Sequence, residues 1–240
     1  PPPSSSSSSF IQAIIGAGAA GLATAAELAA AGHTPTVFEQ APEPDGPGGV
    51  WVYTPQTEEG GGRGGGGGGP SSVHSSMYAG LRTNLPRHLM SFPDFPFEPG
   101  AMGGGGGGGS PGTASTDPRT YPGHAEVRAY LAAYASFRGL LGVGRIRFGC
   151  AVTAAEPVEA GEDASAGRPP LPWPRWRVAV RRGAGGAGRE EASAVFDALA
   201  VASGHFAVPR RPEALVIDPA WPGPVLHSHD YRAPTAGRLG

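Results

Sequence analysis

The sequence predicts an α/β domain of three layers built around a central parallel sheet, and three observations carry that prediction. The chain has 240 residues, enough for one large or two small domains with a buried core. Near its start an apolar run, a glycine-rich turn, an alanine-rich stretch and a second apolar run follow one another within about 30 residues, the size of a βαβ crossover. Further along, an amphipathic helical pattern is followed by several short apolar runs of strand length.

The elements follow in chain order. FIQAII, residues 10–15, is a short apolar run suited to a strand buried on both faces of a parallel sheet. LATAAELAAAGH follows the glycine-rich turn GAGAAG. Its alanines have the highest helix propensity, their small side chains allow close packing on a sheet, and Gly32 is placed to cap the helix at its C-terminus. TPTVFE is the second strand. Residues 73–99 are rich in aromatics and proline without clear periodicity, and they read as irregular structure with a short helix near the start. In HAEVRAYLAAYASFRGL the residues Val127, Tyr130, Leu131, Tyr134 and Phe137 recur at helical spacing, so this stretch is an amphipathic helix. RIRFGCAV, WRVAV and VFDALAVASGH read as three further strands, and nothing repeats at a fixed period.

Composition marks what does not pack. Glycine (41) and proline (27) together exceed a quarter of the chain, a level that signals low-complexity segments beside the folded part. Residues 1–9 form a low-complexity tail, and about 60–70, 103–118 and 155–172 are expected to be disordered surface insertions. Runs of Gly, Ser and Pro offer no apolar area to offset the entropy of ordering. All 18 basic residues are arginine, against 20 acidic ones, so no polybasic surface for nucleic acid or anionic lipid is expected. The single cysteine, Cys150, excludes a disulfide framework, a cysteine-ligated zinc site and a CxxC redox pair, and it reads as a small buried apolar residue. No metal site is expected. No run approaches the length of a membrane span. The leader PPPSSSSSS lacks the basic and apolar regions of a secretory signal, so a cytoplasmic location is expected; the alternative is an organelle transit peptide, which a Ser-rich, acid-poor leader suits but the lack of arginine before Arg63 does not. The chain reads as a fragment or processed product.

A GxGxxG match is weak evidence in a chain so rich in glycine, since about one chance hit is expected. Context distinguishes Gly16, Gly18 and Gly21: only these lie between an apolar strand and a helix, with an acidic residue, Glu39, closing the second strand. Gly16 permits the tight turn out of the strand, Gly18 lets the backbone approach a pyrophosphate, and Gly21 lets the helix lie close to the sheet. The helix N-terminus then offers N–H groups and a favourable dipole to phosphates. Glu39 would accept hydrogen bonds from a ribose and repel a 2′-phosphate, which suits FAD or NAD rather than NADP. The expectation from these residues is therefore a Rossmann-like fold that binds FAD or NAD.

Five passages, IIGAGAAGLATAAELAAAGHTPTVFEQ, GGVWVYTP, VHSSMYAGLRTNLPRHLMSFPDFPF, YPGHAEVRAYLAAYASF, and VASGHFAVPRRP with WPGPVLHSHDYR, resemble the flavin-containing monooxygenases. The resemblance is nearest to the plant subgroup that oxygenates thioether sulfur in glucosinolates. It runs from about residue 10 to residue 235 and skips the glycine tracts. The family fingerprint FxGxxxHxxxY stands here as Trp221, Gly223, His227 and Tyr231, with tryptophan for the first aromatic as in the plant subgroup.

The resemblance implies that residues Gly16, Ala17, Gly18, Ala19, Ala20 and Gly21 cradle the FAD pyrophosphate, that Glu39 holds the ribose, and that Gln40 lies beside the adenosine. Gly49 and Trp51 would line the flavin side. Asn84 matches the asparagine near the flavin ring and nicotinamide, a catalytic position where an amide can donate and accept at once. His124, His205, His227 and His229 are expected to serve packing or a linker rather than chemistry, and no Ser/His/Asp arrangement is readable. The implied activity is FAD- and NADPH-dependent transfer of one oxygen atom from dioxygen to a soft sulfur or nitrogen nucleophile through a C4a-hydroperoxyflavin. The alternative is a truncated, non-catalytic FAD-binding module. Baeyer–Villiger or N-hydroxylating relatives fit the WPGPVLHSHDYR passage less well. The family continues beyond this passage into a second glycine-rich turn for NADPH, so residues 10–240 are expected to be the N-terminal part of the FAD domain, with the NADPH domain absent. The fragment alone is expected to be inactive.

Overall fold

The computed structural model describes residues 9–43, 46–57, 74–98, 117–142, 144–158, 170–183, 190–210, 212, 214 and 216–234. Nearly all of the 1–9 tail, the expected insertion at 60–70 and most of 103–118 and 155–172 lie outside these residues. The chain divides into two units: residues 1–47 with 131–203, and residues 48–130 with 204–240.

The first unit holds the parallel sheet. β1 (Ile11–Ile15) pairs in parallel with β2 (Thr34–Phe38), which pairs with β3 (Ile146–Arg147). Label order in the chain gives β4 (Cys150–Pro157), β5 (Trp176–Arg182), β6 (Glu190–Phe196) and β7 (Ala198–Val201). β7 joins the other edge of β1, so the parallel sheet runs β3-β2-β1-β7. α1 (Ala19–Ala30) packs against β1, β2 and β7 through Gly21, Leu22, Ala25 and Ala26, all buried. Gly32, at a positive φ of 84°, ends it as expected: its N–H donates to the Ala29 carbonyl at 3.1 Å and that of His33 to Leu28 at 3.0 Å, which satisfies two carbonyls the helix leaves open.

The third layer is an antiparallel sheet, β4-β5-β6. Alternate strand residues face opposite ways, and Ala13 and Phe38 of the parallel sheet form one core with Cys150, Val178, Val180 and Phe196. Phe38 and Phe196 meet edge to face with centroids 5.8 Å apart, an arrangement that adds about 1 kcal/mol to the burial itself. Cys150, 1% exposed, is the small core residue the sequence predicts.

Several expected elements are corrected. RIRFGCAV is two strands rather than one: Gly149, at φ 63°, turns the chain between parallel β3 and antiparallel β4. VFDALAVASGH is likewise split between β6 and β7 by Asp197. Residues 155–157, expected in an insertion, complete β4 against β5. The short helix expected near the start of 73–99 does not form; residues 74–86 are irregular, and a single 3₁₀ turn follows at Arg87–Met90.

The second unit is built on aromatic and arginine side chains. Tyr130 of α2 (His124–Phe137) is 1% exposed; its hydroxyl donates to the Phe95 carbonyl and accepts from the Phe92 N–H, both at 2.6 Å. Its ring stacks on Phe97 at 4.3 Å. This is why the aromatic block carries no periodicity: it wraps one side chain instead of presenting a face. Tyr130→Phe keeps the packing but removes the hydroxyl that serves the Phe92 amide and the Phe95 carbonyl, and it is expected to destabilise the full-length protein by about 1 kcal/mol or more in denaturant titrations.

Asp117 gathers a second cluster. Its carboxylate accepts from Arg119 Nε at 2.7 Å, Arg82 Nη2 at 2.8 Å and the Gly123 N–H at 3.1 Å. The Arg119 bond, with Arg82 and the two backbone donors beside it, holds the Asp117 carboxyl far below the ordinary carboxylate range. A folded-state value below the unfolded one gives stability that is present above about pH 4 and lost as pH falls through the acid range. Asp117→Asn is therefore expected to lower stability at neutral pH and to flatten its decline below about pH 4, measured by denaturation at a series of pH values.

Candidate functional site

The first unit places the predicted glycine turn at the carboxyl end of β1. Gly16 has φ 98°, and its N–H donates to the Phe38 carbonyl at 2.8 Å. A Cβ at Gly16 would stand 2.6 Å from the Ala202 carbonyl oxygen, and one at Gly21 only 1.9 Å from that of Gly16. The first and third roles assigned to glycine, a turn at positive φ and a close helix approach, are thus visible at Gly16 and Gly21. α1 begins after Gly18 with no side-chain cap and no acidic residue in its first turn, and Ala19 and Ala20 are exposed. The first amides of a helix have no intrahelical acceptor, so this end presents donors and the positive end of the dipole outward.

Glu39 is buried at 9% exposure, and its carboxylate accepts from the Ala17 N–H at 2.7 Å and from Ala41 at 2.9 Å. It thereby ties the turn to the end of β2. A carboxylate has about four acceptor positions, so two bonds leave capacity for ribose hydroxyls. One refinement follows. Gly16 and Ala17, two of the six residues expected to cradle phosphate, already direct their amides to Phe38 and Glu39, which leaves Gly18 to Gly21 for an anion. Gln40 is exposed. The residues present fit a dinucleotide: the turn has room for backbone only, its helix end is uncapped, and the acidic residue stands beside it.

The second unit holds a cavity of about 690 Å³ lined by Trp51 and Asn84 among others. Gly49, at φ 56°, opens the 3₁₀ turn Gly49–Trp51, and its carbonyl lies 3.1 Å from His74 Nε2. Asn84 is exposed toward the cavity, next to buried Thr83. His74, Arg82, His205, Arg210, His227 and His229 also line it, and among the described lining residues there is no aspartate or glutamate.

The histidines are placed differently from one another. His229 is 2% exposed and sits in a 3₁₀ turn, Ser228–Asp230. His227 caps that turn: its Nδ1 accepts from the His229 N–H at 3.0 Å, and its Nε2 lies 3.2 Å from the Arg210 carbonyl. His227 thus holds its own 3₁₀ turn, and His229 makes a contact that the sequence did not reveal, with Ser76 Oγ 2.8 Å from its Nδ1. His124 lies away from the cavity lining, tilted against Tyr53 at 5.5 Å; burial lowers its pKa and the Arg128 charge adds to that, against a bond with Ala79. Arg232, also missed, donates to the carbonyls of Gln56, Ser75, His229 and Tyr231 and so fixes both sides of the Ser76–His229 contact.

Comparison with known proteins adds the following. Residues 14–63 match the family of NAD(P)-binding Rossmann-like domains. The chain is 39% identical over 97% of its length to the Arabidopsis thaliana flavin-containing monooxygenase FMO GS-OX-like 6, and 39% identical over 98% to FMO GS-OX4 of the same plant. The solved structure of S-allyl-L-cysteine S-oxygenase from Allium sativum superposes with a TM-score of 0.68 at 37% identity, covering 95% of this chain and 43% of that one. The chain spans 42% and 43% of the two Arabidopsis proteins. Among the described residues no helix is long and apolar enough to cross a membrane. Along nearly its whole length the chain is similar to flavin-containing monooxygenases, of which it spans less than half.

Proposed function

We propose that the full-length protein is an FAD- and NADPH-dependent monooxygenase that transfers one oxygen atom from dioxygen to a small molecule bearing a soft sulfur or nitrogen nucleophile. The observation that carries this reading is the turn from β1 into α1, closed by Glu39, in a chain that is 39% identical to flavin-containing monooxygenases. FAD, when bound and reduced by NADPH, would supply the activation of dioxygen.

The chain's own residues do the rest. The amides of Gly18, Ala19, Ala20 and Gly21 would bind the pyrophosphate, with Gly16 and Ala17 shaping the turn. Glu39 would accept from the ribose, with Gln40 at the adenosine. Gly49 and Trp51 would line the flavin side, and Asn84 would act as the catalytic amide, holding a polar group by donating and accepting at once. Residues 10–240 are read as the N-terminal part of the FAD domain, and NADPH would be held by parts of the protein beyond them. The expected compartment is the cytoplasm.

The test is the flavin content of the purified full-length protein. About one FAD released per chain on denaturation supports the reading. A protein that neither retains FAD nor takes it up on titration overturns it.

A further inference from the structure

We propose that Ser76 and His229 form a proton-transfer pair of the second unit's cavity, with Ser76 Oγ as the group that meets the ligand and His229 as a positioning residue that stores the proton. This rests on the preceding reading only in taking the cavity for a reaction chamber. Ser76 is exposed and lines the cavity, and its hydroxyl lies 2.8 Å from Nδ1 of His229, whose ring is buried. The neighbouring Ser75 shows the contrast. It is buried, and its hydroxyl donates to the Val50 carbonyl at 2.6 Å, a purely local bond.

The pair is held on both sides. Arg232 donates through Nη2 to the Ser75 carbonyl at 3.2 Å and through Nη1 to the His229 carbonyl at 2.6 Å. The His229 N–H is fixed on His227 Nδ1 at 3.0 Å. A proton-transfer contact needs this constancy, because transfer weakens steeply with distance and misalignment.

The surroundings favour this pair over the cavity's other histidines. His227 has both ring nitrogens within reach of backbone atoms, and His74 Nε2 faces the Gly49 carbonyl. His205 is exposed and lies against Phe206 at 3.9 Å. Among the described residues, the charged and titratable groups near His229 include His227, with ring centroids 6.5 Å apart, Arg232 at its carbonyl and the adjacent Asp230. Across the cavity stand His74, His205, Tyr78, Arg82 and Arg210. Among the described residues that line the cavity none is a carboxylate, and of their side chains histidine is the type whose ordinary titration falls near neutral pH.

The step balances in protons and moves no electrons. The Ser76 O–H bond breaks as a bond forms between that proton and a basic oxygen or nitrogen of the cavity ligand. The Nδ1–H bond of the His229 imidazolium breaks as Ser76 regains its proton, which leaves neutral imidazole to be recharged from the cavity through the same exposed Ser76 hydroxyl. Delivery therefore weakens as pH rises and the ring loses its second proton.

The experiment uses full-length protein with labelled histidine. The His229 ring signal is identified by its loss in His229→Asn, and its NMR titration is followed in the parent, in Ser76→Ala and in Ser76→Thr. In parallel, flavin content and the pH profile of NADPH-dependent turnover are recorded with a thioether. Ser76→Ala is expected to shift the His229 midpoint by about half a unit or more and to slow turnover about a hundredfold, with Ser76→Thr restoring both. His229→Asn, which keeps a donor near the Nδ1 position but does not titrate, should lose the alkaline fall in turnover. The proposal is overturned if Ser76→Ala leaves the titration unmoved, or if turnover in Ser76→Ala and His229→Asn keeps the parent's rate and profile. Should the parent retain no flavin, the function proposed above fails, and the His229 titration alone decides the pair.

Discussion

Gly21→Val in the full-length protein is expected to lower FAD affinity by about a hundredfold or more, equivalent to about 2.7 kcal/mol. A Cβ at this position would lie 1.9 Å from the Gly16 carbonyl oxygen, a backbone atom that cannot swing aside. Gly16 is itself pinned by its bond to Phe38 and by the Ala202 carbonyl, where a Cβ would meet it at 2.6 Å. The helix must therefore move off the turn, carrying with it the amides that face the phosphates. Gly32→Ala is the control. Its φ of 84° makes a side chain there cost about 1 kcal/mol, but nothing lies within 4 Å of the added carbon. It should cost stability and leave FAD affinity unchanged when flavin fluorescence is titrated with deflavinated protein.

Asp197→Ala is expected to destabilise the protein by about 3–5 kcal/mol in denaturant titrations. Asp197 and Arg175 are both 7% exposed at the side chain and bonded at 2.8 Å. The same carboxylate accepts from the Ile11 N–H at 2.9 Å, and the Asp197 carbonyl accepts from Trp173 Nε1 at 3.1 Å. One residue thus fixes the start of β1, the approach to β5 and the corner from β6 to β7. Removing its carboxylate takes one acceptor from a buried guanidinium and one from a strand amide together. Asp197→Asn should fall between the parent and alanine, because it keeps an acceptor for the amide but no charge.

How much of this was legible before the structure depended on the range of each interaction. The unit from Ile11 to Phe38 was readable because it is local: strand, turn, helix and strand follow in order, and Gly16, Gly21 and Gly32 stand where backbone geometry requires them. The antiparallel sheet was not, although WRVAV was read as a strand. Its partners are set by the burial of Val178 and Val180 against Phe38 and Cys150, and no local pattern states that pairing. Gly149 and Asp197 each divided one apolar run into two strands of different sheets. A single glycine or aspartate inside such a run was the signal that could have been used.

The candidate site divides the same way. Glu39 was found by its place at the end of β2, but its bonds to Ala17 and Ala41 depend on the folded turn. Ser76 and His229 lie 153 residues apart, and a serine before a methionine carries no mark of a partner at that distance. The one available hint was HSHDYR, where two histidines, an aspartate and an arginine stand close together in an otherwise apolar and proline-rich stretch. Burial then separated them: His229, Asp230 and Arg232 went inside, and His227 stayed at the cavity wall as a cap.

Oxygen transfer is tested by turnover of the full-length protein with NADPH and a thioether under isotopically labelled dioxygen. One labelled oxygen atom is expected in the sulfoxide for each NADPH consumed. Sulfoxide bearing oxygen from water, or NADPH consumed with no oxygenated product, would contradict it.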